Sequence, residues 1–376
     1  MLRADLIEKL ETVKPALAAN QVSPLLTQFW FTGRQLMATN SHVSIAIPFE
    51  TEFKGAVSAK LLDLLKVMGG GVEVEVTNDG PNNIVVQHFN KTKTGLKPGK
   101  GQIRLAMQEL DPQLIFKVPS SEDGPLSKAT IKELMDGVEH CLLSVGGADT
   151  ASTEYLGITF EKDPDNERRI VLYSTDSATI CRAYVRSTNT LQIPKRSIVP
   201  TLFCEQMLRL YRAASKNDRV TFRIAAIKIR EGVTDRFAHF TVGSAVLLGR
   251  LLDTQTPLNF TNVLEYHLPK QFEKALVEFP PRLRGALERA SIVCDAQRNS
   301  TKIEVRRGSL TLHSVSDHEE VKDELQFADH DDISVSVEPR FLRRASNFDK
   351  CELLISRHCV IVSRRDGGLL YLVSYH

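Results

Sequence analysis

The stretch PPRLRGALERASIVCDAQRNSTKIEVRRGSLTLHSVSDHEEVKDELQF, residues 280–327, decides the fold. Leu283, Ala286, Leu287, Ala290 and Ser291 recur at three- and four-residue spacing. That period predicts a helix, with Arg282, Arg284 and Arg289 on or beside its other face. The period then changes to two: Thr301–Val305 and Ser309–Ser314 alternate as strands, and a return strand follows over Val321–Phe327. A helix followed by three strands is half of a small domain, and degenerate forms of it recur along the chain.

Working outward, residues 2–19 read as an amphipathic helix interrupted near Pro15. Strands follow at Leu25–Phe31, Gln35–Ala38 and His42–Phe49. Val57–Met68 reads as a second helix closed by Gly69-Gly70-Gly71, and residues 72–76 and 83–88 as a hairpin. Residues 91–101, KTKTGLKPGKG, read as a basic Gly/Pro loop before a last strand at Ile103–Met107. A second unit starts near Phe116–Val118. It holds a helix over Ser127–Leu143, strands at Leu156–Phe160, Ile170–Ser174 and Thr179–Val185, a helix from Pro200, and strands at Val220–Arg230 and His239–Leu247. A third unit, from near Leu264, adds a strand at Ile333–Val337, a short helix at Pro339–Asn347, and strands at Cys351–Ile355, Cys359–Val362 and Leu370–Val373. The count is about six short helices among many strands. Hairpins on this scale exclude a doubly wound parallel sheet and predict an α+β fold, in three tandem domains at 1–115, 116–258 and 259–376.

The 376 residues carry 48 Lys and Arg against 46 Asp and Glu, a formal net charge of +2, so any polyanion-binding face must be local. Six widely spaced cysteines without a CxxC pair read as reduced, buried thiols of an intracellular protein, and the expected location is the cytoplasm. The sequence has no apolar run of membrane-spanning length and no secretory signal pattern.

Catalytic and metal motifs do not assemble. Gly69-Gly70-Gly71 lacks the Lys-Ser/Thr of a phosphate loop and reads as a helix stop. Asp163, Asp165 and Glu167 lack the fixed Gly and the last Glu of a calcium loop. The residues Asp329, His330, Asp331 and Asp332 read as a solvated loop, and His358-Cys359 is a poor chelate. Asp176 has no identifiable acid or base partner. The expectation is a protein that is not an enzyme and needs no cofactor or metal.

Charge on the helices is the positive signal. Arg340, Arg343 and Arg344 share a face; so do Arg209, Arg212 and Lys216; Arg282 and Arg289 lie seven apart, and Lys128 and Lys132 one turn apart. Segments 200–216, 281–291 and 337–346 each sum to +2, so the remainder of the chain is net acidic. Basic helices on an acidic body suggest an electropositive surface that meets phosphates without reading bases.

At this point the sequence resembles the bacterial-type DNA polymerase sliding clamp, the beta subunit of the replicative DNA polymerase III, in a bacterial or a bacteriophage version. The resemblance is carried by ALERASIVCDAQRNSTKIEVRRGSLTLHSVSDHEEVKDEL, ISVSVEPRFLRRASNF and the terminal LLYLVSYH in the third unit. TEYLGITFE and LYSTDSATICRA carry it in the second, and FWFTGRQLMATNSHVSIAIPF with VSAKLLDLLKVM in the first. It covers nearly the whole chain, and its specificity lies in order and spacing. It implies three domains of the clamp fold, each two helix-plus-strands halves. It further implies a head-to-tail homodimeric ring that encircles duplex DNA without sequence preference, is opened by a clamp-loader ATPase, and tethers a DNA polymerase as a processivity factor near the nucleoid. The alternative is a ring or scaffold that binds proteins without encircling DNA.

Carried over, the DNA-facing residues would be Lys60, Lys66, Lys128, Lys132, Arg209, Arg212, Lys216, Arg282, Arg289, Arg340, Arg343 and Arg344. A partner-peptide pocket would comprise Tyr155, Leu156, Thr175, Asp176, Ile180, Pro257, Val263, Leu372, Val373, Ser374 and Tyr375. Here the sequence departs from the family: Ser177-Ala178-Thr179-Ile180 replaces Gly-His-Arg-Leu, Ser374-Tyr375-His376 replaces Met-Pro-Met, and Asn40 stands where Asp is common. These departures imply a peptide preference of the chain's own.

Overall fold

The computed structural model describes residues 1–19, 23–68, 73–92, 95–110, 124–147, 152–188, 191, 193, 196–230, 233–254, 257–294, 300–328, 331–346 and 350–375. The chain begins with α1 (Arg3–Val13), β1 (Gln28–Phe31), β2 (Gln35–Thr39), β3 (Val43–Pro48), β4 (Gly55–Ser58), α2 (Lys60–Val67), β5 (Glu73–Asn78), β6 (Asn83–Thr92) and β7 (Gly95–Gln108). It continues with α3 (Lys128–Cys141), β8 (Gly157–Lys162), β9 (Arg169–Thr175), β10 (Thr179–Arg186), β11 (Ser197–Pro200), α4 (Thr201–Ala213), β12 (Val220–Arg230), β13 (Val233–Val242) and β14 (Ala245–Arg250). The last part holds α5 (Phe260–His267), β15 (Val277–Glu278), α6 (Leu283–Val293), β16 (Thr301–Arg306), β17 (Ser309–Val315), β18 (Glu320–Gln326), β19 (Ile333–Val337), α7 (Pro339–Ala345), β20 (Cys351–Ile355), β21 (Cys359–Arg364) and β22 (Leu369–Ser374). Two compact units result: Met1–Leu126 with Leu202–Leu251, and Ser127–Thr201 with Leu252–His376.

The first unit is built on a ten-stranded sheet in the order β12-β13-β14-β3-β2-β1-β4-β7-β6-β5. Its helices bury the apolar sides that the periodicity defines: Leu6, Leu10 and Val13 from α1, Leu61, Leu62 and Leu65 from α2, and Phe203, Met207 and Leu210 from α4. Trp30 in β1 is fully buried, and its Nε1 donates to the carbonyl of Leu25 at 2.8 Å, so its one polar atom is satisfied. Gly249 lets Phe203 approach the sheet, because a Cβ there would lie 2.4 Å from the ring.

The second unit has two sheets. An eight-stranded sheet runs β11-β8-β9-β10-β22-β21-β20-β15, and a four-stranded one runs β18-β17-β16-β19. Helix α3 covers one face of the larger sheet: Gly137 lies against Ala183 and Leu172, and Ser174 Oγ donates to the Cys141 carbonyl at 2.6 Å. Helix α5 covers the other face, where Phe260 stacks on Tyr173 with ring centroids 4.9 Å apart and planes 2° from parallel. Ile180, Leu264, Ile361, Leu370 and Leu372 complete that cluster. On the smaller sheet α6 buries Leu283, Ala286, Leu287, Ala290 and Val293.

One joint occurs twice. β14 pairs antiparallel with β3 through Val246↔Ala46 to Gly249↔Val43, and β10 pairs antiparallel with β22 through Thr179↔Val373 to Ala183↔Leu369. In each case the third strand of one helix-plus-strands half meets the third strand of another. This is the α+β architecture of repeated half-domains that the sequence implies.

Several expectations change. Residues 91–101 are not a loop: apart from 93 and 94, which lie outside the described residues, they belong to the long β6–β7 hairpin. Val57 belongs to β4, so the second helix starts only at Lys60. His239–Leu247 is not one strand but parts of β13 and β14, turned at Gly243 with φ 56. α4 ends at Ala213, which leaves Lys216 in the following turn, and Arg282 precedes α6. α5 is a seventh helix that the periodicity reading did not find. Residues 69–71, 116–118, 329 and 330 lie outside the described residues.

Phe260→Ala removes a fully buried ring, and we expect a loss of about 3 kcal/mol or more in urea unfolding of the full chain. Asn262→Ala, exposed on the same helix, should stay within about 0.5 kcal/mol of the parent.

Candidate nucleic-acid and peptide interfaces

In the first unit, Lys60 and Lys66 lie exposed on α2, and Arg209 and Arg212 on α4. Lys66 Nζ meets Glu11 Oε1 at 2.7 Å, and Arg209 donates to the Glu11 carbonyl at 2.7 Å and to Gln206 Oε1 at 3.3 Å. The Lys66 ammonium, by hydrogen bond and charge, holds the Glu11 carboxyl below its ordinary pKa; Arg209 and Lys14 add smaller pulls. Glu11 therefore spaces two cations that would otherwise repel each other.

In the second unit, Lys128 and Lys132 are exposed on α3. Arg289 forms a two-toothed pair with Asp323 of β18, at 3.1 and 2.7 Å. That hydrogen bond and charge raise its pKa further and direct its guanidinium to the strand, a local use that the helical spacing did not reveal. Arg340 pairs with Glu338 at 2.5 Å. Arg344 donates to the Leu143 carbonyl at 3.0 Å and lies 4.0 Å from Asp176. Arg343 and Arg282 are exposed and form no ion pair among the described residues. The basic set thus contains cations open to a polyanion and cations already engaged in the fold.

The peptide-pocket residues all fall in the second unit. Thr175, Ile180, Leu372 and Val373 are interior strand residues, Ile180 facing Leu372 and Thr179 facing Val373 across β10 and β22. Tyr155, Leu156, Asp176, Val263, Ser374 and Tyr375 are half-buried, and Pro257 is exposed. Asp176 shapes the turn after β9: its Oδ1 accepts the N–H groups of Ala178 at 3.1 Å and Thr179 at 2.7 Å and the Thr179 hydroxyl at 2.8 Å. Ser177 takes φ 76 there. The Ser374 N–H and hydroxyl both reach the Ala178 carbonyl at 3.0 Å, and the Tyr375 hydroxyl donates to Ser356 O at 3.0 Å. Burial raises the Tyr375 phenol, and pushes Tyr173 up to about 12.

Two groups absent from the sequence reading hold this region together. Glu154, 2% exposed, accepts the Leu258 N–H with both oxygens at 2.8 and 2.7 Å and pairs with Arg196 at 3.1 Å. Pro257 and Leu258 are thereby fastened beside Tyr155 and Leu156. Arg196 in turn lies 5.5 Å from the centroid of Phe260. Burial raises the neighbouring Glu161 carboxyl, against the pull of Arg196. The Asn259 cap on Asn262 N–H at 3.1 Å, with Phe260, Val263 and Leu264 at helical spacing, was the available signal for α5.

The pattern at Asp163, Asp165 and Glu167 resolves as a turn. Asp163 pairs with Arg169 at 2.7 Å and caps Asp165 N–H at 3.0 Å. Among the described residues, no cluster of His, Cys, Asp and Glu could hold a metal ion. Likewise no described helix is long and apolar enough to cross a membrane.

Comparison with solved structures gives full-length matches. The beta sliding clamp of Caulobacter crescentus superposes with a TM-score of 0.77 at 18% identity, covering 100% of this chain and 98% of that one. The fold is that of the bacterial sliding clamps. The clamp from Pseudomonas aeruginosa (TM-score 0.76, 17% identity) and the DNA polymerase III beta subunit of Thermotoga maritima (0.75, 17%) have the same two coverages. No family model and no curated protein matches the sequence. The likeness therefore lies in how the half-domains are ordered and joined.

Glu154→Ala strands the Leu258 N–H and removes the nearer of the two carboxylates beside Arg196, leaving Glu161 at 3.7 Å. We expect faster hydrogen exchange at the Leu258 amide and a destabilisation of about 3 kcal/mol, as for one partner lost from a buried pair. Glu154→Gln, which keeps an acceptor, should fall between Ala and the parent.

Proposed function

We propose that this chain is a sliding clamp, a non-enzymatic processivity factor that encircles duplex DNA and tethers a replicative DNA polymerase. The observation that carries the reading is the match to bacterial clamps along the whole chain, joined to exposed basic residues on several of its helices. A closed ring stays on DNA by topology, so its phosphate contacts can be weak, exchangeable and salt-sensitive. Exposed Lys60, Lys128, Lys132, Lys216, Arg282 and Arg343 suit that role, with Lys66, Arg209, Arg212, Arg289, Arg340 and Arg344 contributing whatever charge their intramolecular partners leave. A polymerase peptide would dock against Tyr155, Leu156, Asp176, Pro257, Val263, Ser374 and Tyr375, over the floor of Thr175, Ile180, Leu372 and Val373. Docking raises the local polymerase concentration at its template. We place the domains at 1–115, 116–258 and 259–376, loading by a clamp-loader ATPase, and the site of action in the cytoplasm on nucleoid or phage DNA.

The repeated strand joint supports a head-to-tail homodimer. β14 is used by β3 and β22 by β10, which leaves β7 and β18 as the third strands without an equivalent partner. β7 has β6 on one side and, on the other, only β4 at Met107 and Gln108 among the described residues. β18 is the outermost strand of its sheet. Pairing β7 of one copy with β18 of the next closes both edges and repeats in both copies, so the assembly can close. Ile292 on α6, 77% exposed, provides an apolar group for such an interface.

Light scattering should give about 84 kDa, twice the 42.0 kDa chain, and Ile292→Asp should shift the population toward monomer. Reversing Arg209, Arg212, Arg340 and Arg343 to Glu should preserve the dimer and reduce retention on circular primed DNA about tenfold or more. Unchanged retention would favour a scaffold that does not encircle DNA.

A further inference from the structure

A recessed site lies in the second unit, and none of its lining residues is among the peptide-pocket residues. It is a cleft of about 510 Å³ whose walls come from β9, β10, the β21–β22 turn and the short helical turn at Phe272–Ala275. That volume fits a small ligand of nucleotide size. Four arginines line it: Arg169, Arg182, Arg186 and Arg364.

The four are not equivalent. Arg169 pairs with Asp163, Arg186 with Glu133, and Arg364 Nε with Asp366 at 2.7 Å. Arg182 forms no ion pair among the described residues, and its Nε is buried without a hydrogen-bond acceptor. Its guanidinium lies 4.9 Å from the Tyr184 ring centroid, and that of Arg169 lies 4.3 Å from the same centroid. The ring contact fixes the guanidinium in place but supplies no acceptor. Removing part of a cation from water without a counter-ion is costly, and a bound anion offsets that cost.

The turn beside Arg182 is shaped to leave room. Gly367 adopts φ 69, and a Cβ on Gly368 would meet Arg364 Nη2 at 2.5 Å. The Tyr184 N–H bonds to the Gly368 carbonyl at 2.9 Å, so the turn is tied to β10. Asp366 accepts both Arg364 Nε and the Gly368 N–H, which holds Arg364 over the turn. Arg364 has a 23% exposed side chain and so is a recessed cation too.

We propose that this cleft binds a small phosphate-bearing ligand, with Arg182 and Arg364 as its phosphate contacts. Guanidinium forks match phosphate oxygens with paired N–H donors. Glu133, Glu273 and Asp366 also line the cleft, and these carboxylates disfavour an extended polyanion such as a nucleic-acid strand. A compact phosphate group at Arg182 avoids most of that repulsion. The site does not depend on the clamp reading, because none of its residues belongs to the proposed DNA face or peptide pocket.

Calorimetric titration of the full chain with inorganic pyrophosphate, and separately with ADP, tests it. Saturable binding at one site per chain, with Kd below about 1 mM, is expected for at least one probe. Arg182→Gln and Arg364→Gln should each weaken it about tenfold or more, and Arg182→Lys should weaken it less. Lys302→Gln, on β16 and outside the cleft and both proposed interfaces, should leave it unchanged. Equal affinity for the two probes assigns the site to phosphate alone, and tighter ADP assigns it to a nucleotide. Absence of saturable binding for both probes overturns the proposal. So does undiminished binding in a folded Arg182→Gln or Arg364→Gln, with folding checked by circular dichroism; if one variant does not fold, the other decides.

Discussion

A β-strand exposes a row of backbone donors and acceptors on each side, and both rows need partners. That requirement governs this molecule. β3 and β14 satisfy each other although some 200 residues separate them, and β10 and β22 do the same at a similar separation. The joints are made of backbone hydrogen bonds, so they constrain side chains only loosely. Hence a fold can be kept at 17–18% identity as long as the alternation of buried and exposed positions is kept. The helices then have one apolar side to bury and are left with their polar sides for other work.

Much of this order was legible in the chain. The stretch 280–327 changes from a helical period to a period of two, and it folds as α6, β16, β17 and β18 close to the expected limits. Local periodicity works there because each element buries one face only. It fails where that condition fails. Residues 91–101 carry Gly and Pro in a solvated hairpin, so they look like a loop by composition. β13 and β14 are joined by a two-residue turn at Gly243 and are apolar enough to read as one run.

The candidate interfaces were legible to a different degree. Helical spacing placed basic residues on common faces but carried no information about their tertiary partners. Asp323, which engages Arg289, lies 34 residues away, and Leu143, which engages Arg344, lies 201 away. Glu154 was hidden for a related reason. A lone carboxylate before an apolar strand gives no sign that it will accept the Leu258 N–H 104 residues later. The turn at Asp176 is the contrary case, since Asp followed by Ser, Ala and Thr contains its own hydrogen-bond partners.

The single tryptophan has an optical consequence. Trp30 lies in the first unit, fully buried, with its indole N–H bonded to Leu25. Indole emission therefore reports on that unit, whereas far-ultraviolet dichroism reads the strands and helices of both. Where the two signals follow one transition, the chain melts as a single cooperative body; where they separate, the gap measures how independently the second unit holds together.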